Sequence, residues 1–211
     1  MAREEIDIIR LMKSAFMFLS RSGAGKGTQA DFLRNHFGAE RTLYISTGDH
    51  LRELAEKHDL LAGKYMEEKV MRPGNRAPAF SPIWVWAERM INEFTPQTEA
   101  VIFEGSPRTI LEARALDEAF EFFEIENVYP LLLDITPEEA RKRLLGRKRG
   151  DDTEAAIERR LAFYERDVMP ILSFYQGESP YRLVRIDGML PPEEVFEQIK
   201  RVAGSTQYAN Y

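Results

Sequence analysis

The chain of 211 residues contains no cysteine and only three histidines, which are scattered without the spacing of metal ligands. Disulfide bonds and cysteine-ligated zinc are therefore excluded, and we expect no zinc site. No apolar run approaches the ~20 residues that cross a bilayer, and the mixed, acidic start predicts no secretory signal. The formal charge of −6 lacks the basic excess of a general nucleic-acid binder. We expect a cytoplasmic protein whose partners are neither nucleic acids nor membranes.

The composition, 44% hydrophobic and 30% charged, predicts a single domain with a sizeable core. Segments of strand and helix character alternate along the chain, which favours a parallel sheet with helices on both faces. The pattern therefore predicts a three-layer α/β fold. One long helix is expected over 152–175, interrupted near Pro170, and a short one over 4–13. Five strands are expected near 15–19, 41–45, 100–103, 128–134 and 182–186.

A glycine-rich turn follows the first predicted strand and leads into a helix expected over 29–37. From residue 16 it runs FMFLSRSGAGKGTQA. Glycines let backbone N–H groups converge on phosphate oxygens, and the helix N-terminus adds its positive dipole end. Lys26 would reach the outer phosphates, and the Thr28 hydroxyl would serve a phosphate or the magnesium shell. The segment predicts a site for a nucleoside triphosphate with Mg²⁺, formed by Gly23, Ala24, Gly25, Lys26, Gly27 and Thr28.

The match to the phosphate-loop pattern G-x-x-x-x-G-K-[ST] is imperfect. Ser20 stands where the first glycine belongs, and Gly27 stands where serine or threonine belongs. The alternative is a glycine-rich turn between a strand and a helix, with a solvated lysine. The order of strand, glycines, lysine and helix favours the phosphate site over this alternative.

Four further motifs fall at the ends of predicted strands or the starts of helices, where open parallel sheets place their ligands. Each contains arginine, whose planar guanidinium meets phosphate oxygens bidentately. Two arginines that meet in a cleft are unfavourable unless an anion joins them, which itself favours phosphate binding. The motifs are Ser46-Thr-Gly-Asp-His-Leu-Arg52, Glu104-Gly-Ser-Pro-Arg-Thr109, Arg143-Leu-Leu-Gly-Arg147, and Arg149-Gly-Asp-Asp152 followed by Arg160.

Together with the glycine-rich turn, these motifs resemble the nucleoside monophosphate kinases, and the adenylate kinases in particular. The resemblance covers roughly residues 15 to 200 in a consistent order. It implies the P-loop kinase fold and Mg²⁺-dependent phosphoryl transfer from ATP to AMP, giving two ADP. It also implies one domain over 1–211, with a helical acceptor-binding insertion at 46–78. Such chemistry needs two nucleotides held in line and charge neutralised on the transferring group.

The resemblance also implies roles for individual residues. ATP would contact the loop together with Arg143 and Arg147. Waters of the Mg²⁺ shell would be held by Asp49 and Glu104, with Thr28 as a further candidate. The catalytic set would be Lys26, Arg108, Arg143, Arg149 and Arg160. The AMP site would comprise Thr47, Gly48, Arg52, Asn75, Arg76, Ala77, Gly105, Arg108, Glu112, Arg149 and Arg160.

The chain departs from the family pattern at several of these positions. Ser106 replaces an aromatic residue, and Glu104 replaces an aspartate. Glu112 stands where a glutamine usually reads adenine, and an ionised carboxylate suits the two adjacent donors of guanine better. The alternative for Glu112 is a place on the solvated face of its helix. The mobile lid of the family is reduced to a vestige at 147–151.

The residues leave two other functions open. A kinase of the same class would take GMP, UMP or CMP as its acceptor. A nucleotide-binding protein of another class would use ATP occupancy as a switch, with little transfer. The retained Lys26 and the set of arginines favour transfer over the switch. We expect a monomer or a small homo-oligomer.

Overall fold

The computed structural model describes residues 13–147 and 154–204. Within these residues five strands form one parallel sheet in the order β2-β3-β1-β4-β5. Each neighbouring pair runs parallel, as alternation of strands and helices along a chain requires. The strands are β1 (Ser14–Phe18), β2 (Thr42–Ser46), β3 (Ala100–Glu104), β4 (Asn127–Asp134) and β5 (Val184–Asp187).

Helices connect the strands, and two of them begin at threonine caps. The Thr109 hydroxyl accepts the Glu112 N–H, and the Thr136 hydroxyl accepts the Glu139 N–H. A 3₁₀ turn covers Ala39–Arg41. Two π-helical turns cover Glu67–Met71 and Tyr164–Val168. The α-helices are α1 (Lys26–Phe37), α2 (Thr47–Ala55), α3 (Leu61–Met66), α4 (Phe80–Glu93), α5 (Ile110–Phe122), α6 (Pro137–Arg147), α7 (Glu154–Phe163), α8 (Met169–Gly177) and α9 (Pro192–Gly204).

The sheet is buried between two layers of helices, so the predicted three-layer fold is confirmed. Side chains alternate along β1 because successive residues of a strand point to opposite faces. Phe16 and Phe18 pack with α1, α6 and α9, whereas Met17 packs with α2, α4, α5 and α8. Burial on both faces explains the continuous apolar sequence of β1 and β4.

Several predicted boundaries differ from the observed ones. Arg41 belongs to the 3₁₀ turn rather than to β2. The last strand begins at Val184 rather than at 182, because the Leu183 N–H bonds the Tyr175 carbonyl of α8. The interruption predicted near Pro170 in the helix over 152–175 is confirmed, and it takes the form of the π turn Tyr164–Val168. Proline lacks an N–H and its ring crowds the carbonyl one turn back, which a π turn accommodates.

The carboxyl ends of the strands form the edge that carries the predicted motifs. The phosphate-loop segment leaves β1 there, and Ser46 of β2 lies in register with Glu104 of β3. Residues 1–12, which include most of the short helix predicted over 4–13, lie outside the described residues. Among the helices described, none is long and apolar enough to cross a bilayer.

Candidate active site

The glycine-rich segment forms a tight loop between β1 and α1. Gly23 and Gly25 have φ angles of 87° and 91°, in the left-handed region that favours glycine. A Cβ at Gly23 would lie 2.8 Å from the Ala140 carbonyl oxygen, so α6 leaves no room for a side chain. The loop thus ends at the N-terminus of α1, whose first N–H groups lack intrahelical acceptors. This geometry suits a bound phosphate.

The serine at the first loop position has a structural role. Ser20 is buried, and its hydroxyl accepts the Leu133 N–H of β4 at 2.7 Å. The neighbouring backbone bond, from the Leu19 N–H to the Leu131 carbonyl, has a length of 2.8 Å. The Ser20 hydroxyl therefore continues the ladder between β1 and β4 and fixes the start of the loop. Its departure from glycine is compatible with the phosphate-loop shape.

Lys26 lies within the loop. Its Nζ donates to the carbonyl oxygens of Ser20, at 3.1 Å, and Arg21, at 2.9 Å. The ammonium group therefore sits at the mouth of α1, where it adds positive charge to the end of the helix dipole. Thr28 is exposed in the first turn of the same helix.

Two carboxylates follow adjacent strands: Glu104 ends β3, and Asp49 lies in the first turn of α2, directly after β2. A Cβ at Gly27 would lie 3.3 Å from Oε1 of Glu104, so this carboxylate faces the first turn of α1. The Tyr44 hydroxyl donates to its other oxygen. Burial raises the pKa of Tyr44, and the charges of Glu104 and Asp49 raise it further. Asp49 accepts from the Ser46 hydroxyl and pairs with Arg52.

These oxygen donors fit a magnesium ion held mainly by waters and phosphates. Mg²⁺ is usually bound through one or two carboxylates plus substrate oxygens rather than by a complete protein cage. In the described part of the chain no three His, Cys, Asp or Glu side chains form a cage. Glu104 beside the first turn of α1, with Asp49 near it, supplies the hard oxygens that such an ion prefers.

The arginines predicted from three separate motifs come together around Arg108. Its Nε donates to the Gly105 carbonyl at 2.8 Å, so the guanidinium lies against the loop that follows β3. Desolvation by the surrounding protein lowers the pKa of Arg108. The charges of Glu112 and Glu104 raise this pKa, whereas the charges of Arg52 and Arg160 lower it. Positive charges thus converge from α2, from the loop that precedes α5 and from α7. Such an arrangement is unfavourable without an anion.

Glu112 is fully buried, so the alternative of a solvated helix face is wrong. Its Oε2 accepts the Arg108 N–H at 2.7 Å. Burial raises the pKa of Glu112, whereas the Ser106 hydroxyl, the Arg108 N–H and charge, and the Trp86 indole lower it. Among the described residues, however, Oε1 of Glu112 and Nε1 of Trp86 have no hydrogen-bond partner. Glu112 therefore fixes the loop that carries Arg108.

The remaining residues that the sequence predicts for the AMP site lie on two segments. The Thr47 hydroxyl lies 2.8 Å from the Ser106 hydroxyl, which joins α2 to the loop after β3. A Cβ at Gly48 would meet the Arg52 guanidinium at 3.4 Å. Past the π turn Glu67–Met71, the Asn75 N–H bonds the Val70 carbonyl.

The end of this segment reaches both the core and the second π turn. Ala77 is partly buried against the core. Arg76 forms a 3.5 Å ion pair with Asp167 of the π turn Tyr164–Val168. The insertion is therefore linked to the polypeptide that follows α7.

Arg143, which the sequence predicts to contact ATP, lies on α6. Its Nε donates to Glu139 at 2.8 Å and its Nη2 to the Gly188 carbonyl at 3.0 Å. Arg147 ends α6, and α7 begins seven residues later at Glu154. The remaining predicted residue, Arg149, and most of the segment 147–151 lie outside the described residues.

Arg21, the second residue of the loop, did not figure in the sequence prediction. Its side chain is only 14% exposed, and its guanidinium lies 3.9 Å from the centroid of the Tyr164 ring. It also pairs with Glu165. A cavity of about 650 Å³ opens beside it at the ends of β4 and β5, lined by Asp134 and Arg185. The sequence signal that could have identified Arg21 is the presence of a cation inside the phosphate-loop motif.

Comparison with known proteins gives one consistent result. A family model described as adenylate kinase matches residues 18–179. The chain is 31% identical over 194 residues to an adenylate kinase of Thermus thermophilus, covering 90% of this chain and 97% of the relative. It is 34% identical over 187 residues to one of Leptospira biflexa, covering 87% and 96%. An adenylate kinase 1 of Nostoc is 31% identical over 195 residues, covering 90% and 98%.

Proposed function

Since this chain belongs to the adenylate kinase family, we propose that it transfers a phosphoryl group reversibly from ATP to AMP, giving two ADP. The observation that carries this assignment is that Arg52 and Arg160, from separate elements, lie close enough to Arg108 for their charges to act on it. Three cations brought together by separate elements match an anionic group shared by two nucleotides. A protein that only binds ATP has no need of these arginines in addition to the phosphate loop.

The donor would lie on the phosphate loop. Backbone N–H groups of the loop and of α1 cradle its phosphates, and Lys26 neutralises charge on the group in transit. Arg143 of α6, together with Arg147, would contact the remainder of ATP. Arg149, with Arg160, would add charge at the transferring phosphate.

Mg²⁺ would accompany ATP, held through waters by Asp49 and Glu104, with Thr28 as a further oxygen donor. When bound, the ion neutralises phosphate charge and orients the donor. The Tyr44 hydroxyl holds the Glu104 carboxylate in place, and Ser46 does the same for Asp49. These contacts support the assignment, because preset ligands avoid reorganisation during the reaction.

AMP would lie on the side of Arg108 that is opposite to the donor ATP. Arg52, Arg108 and Arg160 would bind its phosphate, which relieves the repulsion among them. Thr47, Gly48, Gly105, Glu112 and the segment of Asn75, Arg76 and Ala77 would surround its ribose and base. This arrangement requires little covalent chemistry of the protein, since alignment and charge neutralisation supply most of the rate.

We also propose that the partners of the protein are free nucleotides in the cytoplasm. The protein itself would be a monomer or a small homo-oligomer. The formal charge of −6 supports small anions drawn to local arginines over a nucleic acid bound along a basic face. The insertion 46–78 and the short connection at 147–151 are part of this proposal.

The test is an ADP-formation assay with ATP, Mg²⁺ and each of AMP, GMP, UMP and CMP. We expect the highest kcat/KM with AMP. Omission of Mg²⁺ should abolish the activity, which tests the requirement for the ion. ATP hydrolysis that is independent of every monophosphate would overturn the proposal in favour of a switch.

A further inference from the structure

Arg21 places a cation inside the phosphate loop, yet the loop does not leave its guanidinium in open solvent. The group stacks over the Tyr164 ring at 3.9 Å and pairs with Glu165. Both partners belong to one π turn, Tyr164–Val168, and both lie more than 140 residues away in sequence. We use the term loop clamp for the contacts of Arg21 with Tyr164 and Glu165.

The π turn continues directly from the helix that carries Arg160. Arg160 precedes Tyr164 by four residues, about one helical turn. A π turn inserts an extra residue into a helix and rotates the side chains on either side of it, and such turns are frequent at functional sites. The position of the π turn against the loop therefore sets where Arg160 points.

A second contact holds the other end of the same turn. Asp167 pairs with Arg76 at 3.5 Å and with Arg166 at 2.8 Å. Arg76 comes from the end of the insertion proposed over 46–78. The π turn is thus fixed to the phosphate loop through Arg21 and to the acceptor side through Arg76.

We propose that Arg21 is a positioning residue, which clamps the π turn to the phosphate loop and thereby holds Arg160 beside Arg108. The inference rests on the proposed function, because Arg160 matters only where an acceptor phosphate is bound. The clamp joins the loop that cradles the donor to the helix that reaches the acceptor. An ion pair with one exposed partner adds little stability, so its effect lies in geometry.

The first measurement compares Arg21→Gln, Glu165→Gln and the double variant in ADP formation, with AMP varied at saturating ATP and Mg²⁺. We expect Arg21→Gln to lower kcat/KM for AMP by about tenfold, with KM for ATP changed by less than about twofold. Glu165→Gln should give a smaller loss, because the stacking on Tyr164 remains. The double variant should match Arg21→Gln, since both substitutions break one link.

Two further variants separate positioning from a general loss of structure. Arg21→Lys retains a charge that reaches Glu165, so it should regain part of the activity lost in Arg21→Gln. Glu178→Gln removes an exposed ion pair with Arg114 and serves as the matched control, with wild-type kinetics expected. The melting temperatures of the Arg21 and Glu165 variants should equal that of the wild type.

The possible failures are distinguishable. If wild-type protein forms no ADP from AMP, the proposed function fails, and the clamp fails with it. If the wild type is active but Arg21→Gln leaves kcat/KM for AMP unchanged, only the clamp is refuted. A rise in KM for ATP alone, without any effect of Glu165→Gln, would make Arg21 a direct phosphate contact and would also refute it.

Discussion

Replacement of Arg108 by alanine is the most informative single perturbation of the acceptor site. The Arg108 guanidinium is aimed by its bond to the Gly105 carbonyl and lies near two other arginines. Arg108→Ala removes the central charge of this group but leaves the backbone N–H that Glu112 accepts. The loop itself should therefore keep its shape. The loss should fall on the bound phosphate.

The expected magnitude follows from the kind of contact removed. A charge-assisted contact in a partly desolvated site contributes about 2 to 4 kcal/mol when one partner is truncated. At 1.36 kcal/mol for each factor of ten, this corresponds to roughly a 30- to 900-fold loss in kcat/KM for AMP. Relief of repulsion from Arg52 and Arg160 in the variant offsets part of the loss, so we expect the lower half of that range.

The assay measures kcat/KM for AMP at saturating ATP, and ATP affinity by a separate nucleotide titration. Arg114→Ala is the control, because Arg114 lies on the following helix and forms an exposed pair with Glu178. We expect the control to behave like the wild type and Arg108→Ala to retain its affinity for ATP. An equal loss in ATP affinity would show that Arg108 serves the donor, and the reasoning would be refuted.

Three other substitutions test separate parts of the site and the fold. Lys26→Met should lower phosphoryl transfer by at least ~100-fold without changing the circular dichroism spectrum, because the loop backbone remains while its charge is lost; near-normal transfer would remove Lys26 from the mechanism. Glu112→Gln should raise the ratio of kcat/KM for AMP over GMP, since an amide offers adenine both a donor and an acceptor; an unchanged ratio would limit Glu112 to fixing the Arg108 loop. Asp117→Asn tests pH dependence: burial raises the pKa of Asp117 from 3.8 to about 6, although bonds from Ser179 and Tyr175 oppose the shift. Between these values the folded protein keeps a proton that the unfolded chain has released, so wild-type stability falls as pH rises. The melting temperature of Asp117→Asn relative to the wild type should therefore increase from pH 4 to pH 6 and then level off; a constant difference would contradict the assignment.

The sequence was sufficient for the order of elements and for the location of the site. Alternating apolar segments predicted the parallel sheet, because strands buried on both faces have continuous apolar sequences. Glycines at positions 23 and 25 predicted the loop, since its backbone requires positive φ angles. The caps at Thr109 and Thr136 are likewise local hydrogen bonds, each to an N–H three residues later. These features depend on near neighbours in the chain.

Features that depend on distant contacts were not predictable in the same way. The Ser20 hydroxyl bonds a strand residue 113 positions away, which explains a departure that the pattern alone left open. Burial of Glu112 is decided by the packing of α4 and the loop after β3 rather than by its own helix. The contact of Arg21 with the π turn joins residues 144 positions apart. Local sequence carries no record of such pairings.

The central claim is reversible phosphoryl transfer between two nucleotides, and its most direct test starts from ADP alone. With Mg²⁺ and purified protein, the account predicts that ADP disappears while ATP and AMP form in equal amounts. Lys26→Met should abolish this conversion. Formation of AMP with inorganic phosphate and without ATP, or no change in ADP, would contradict the account.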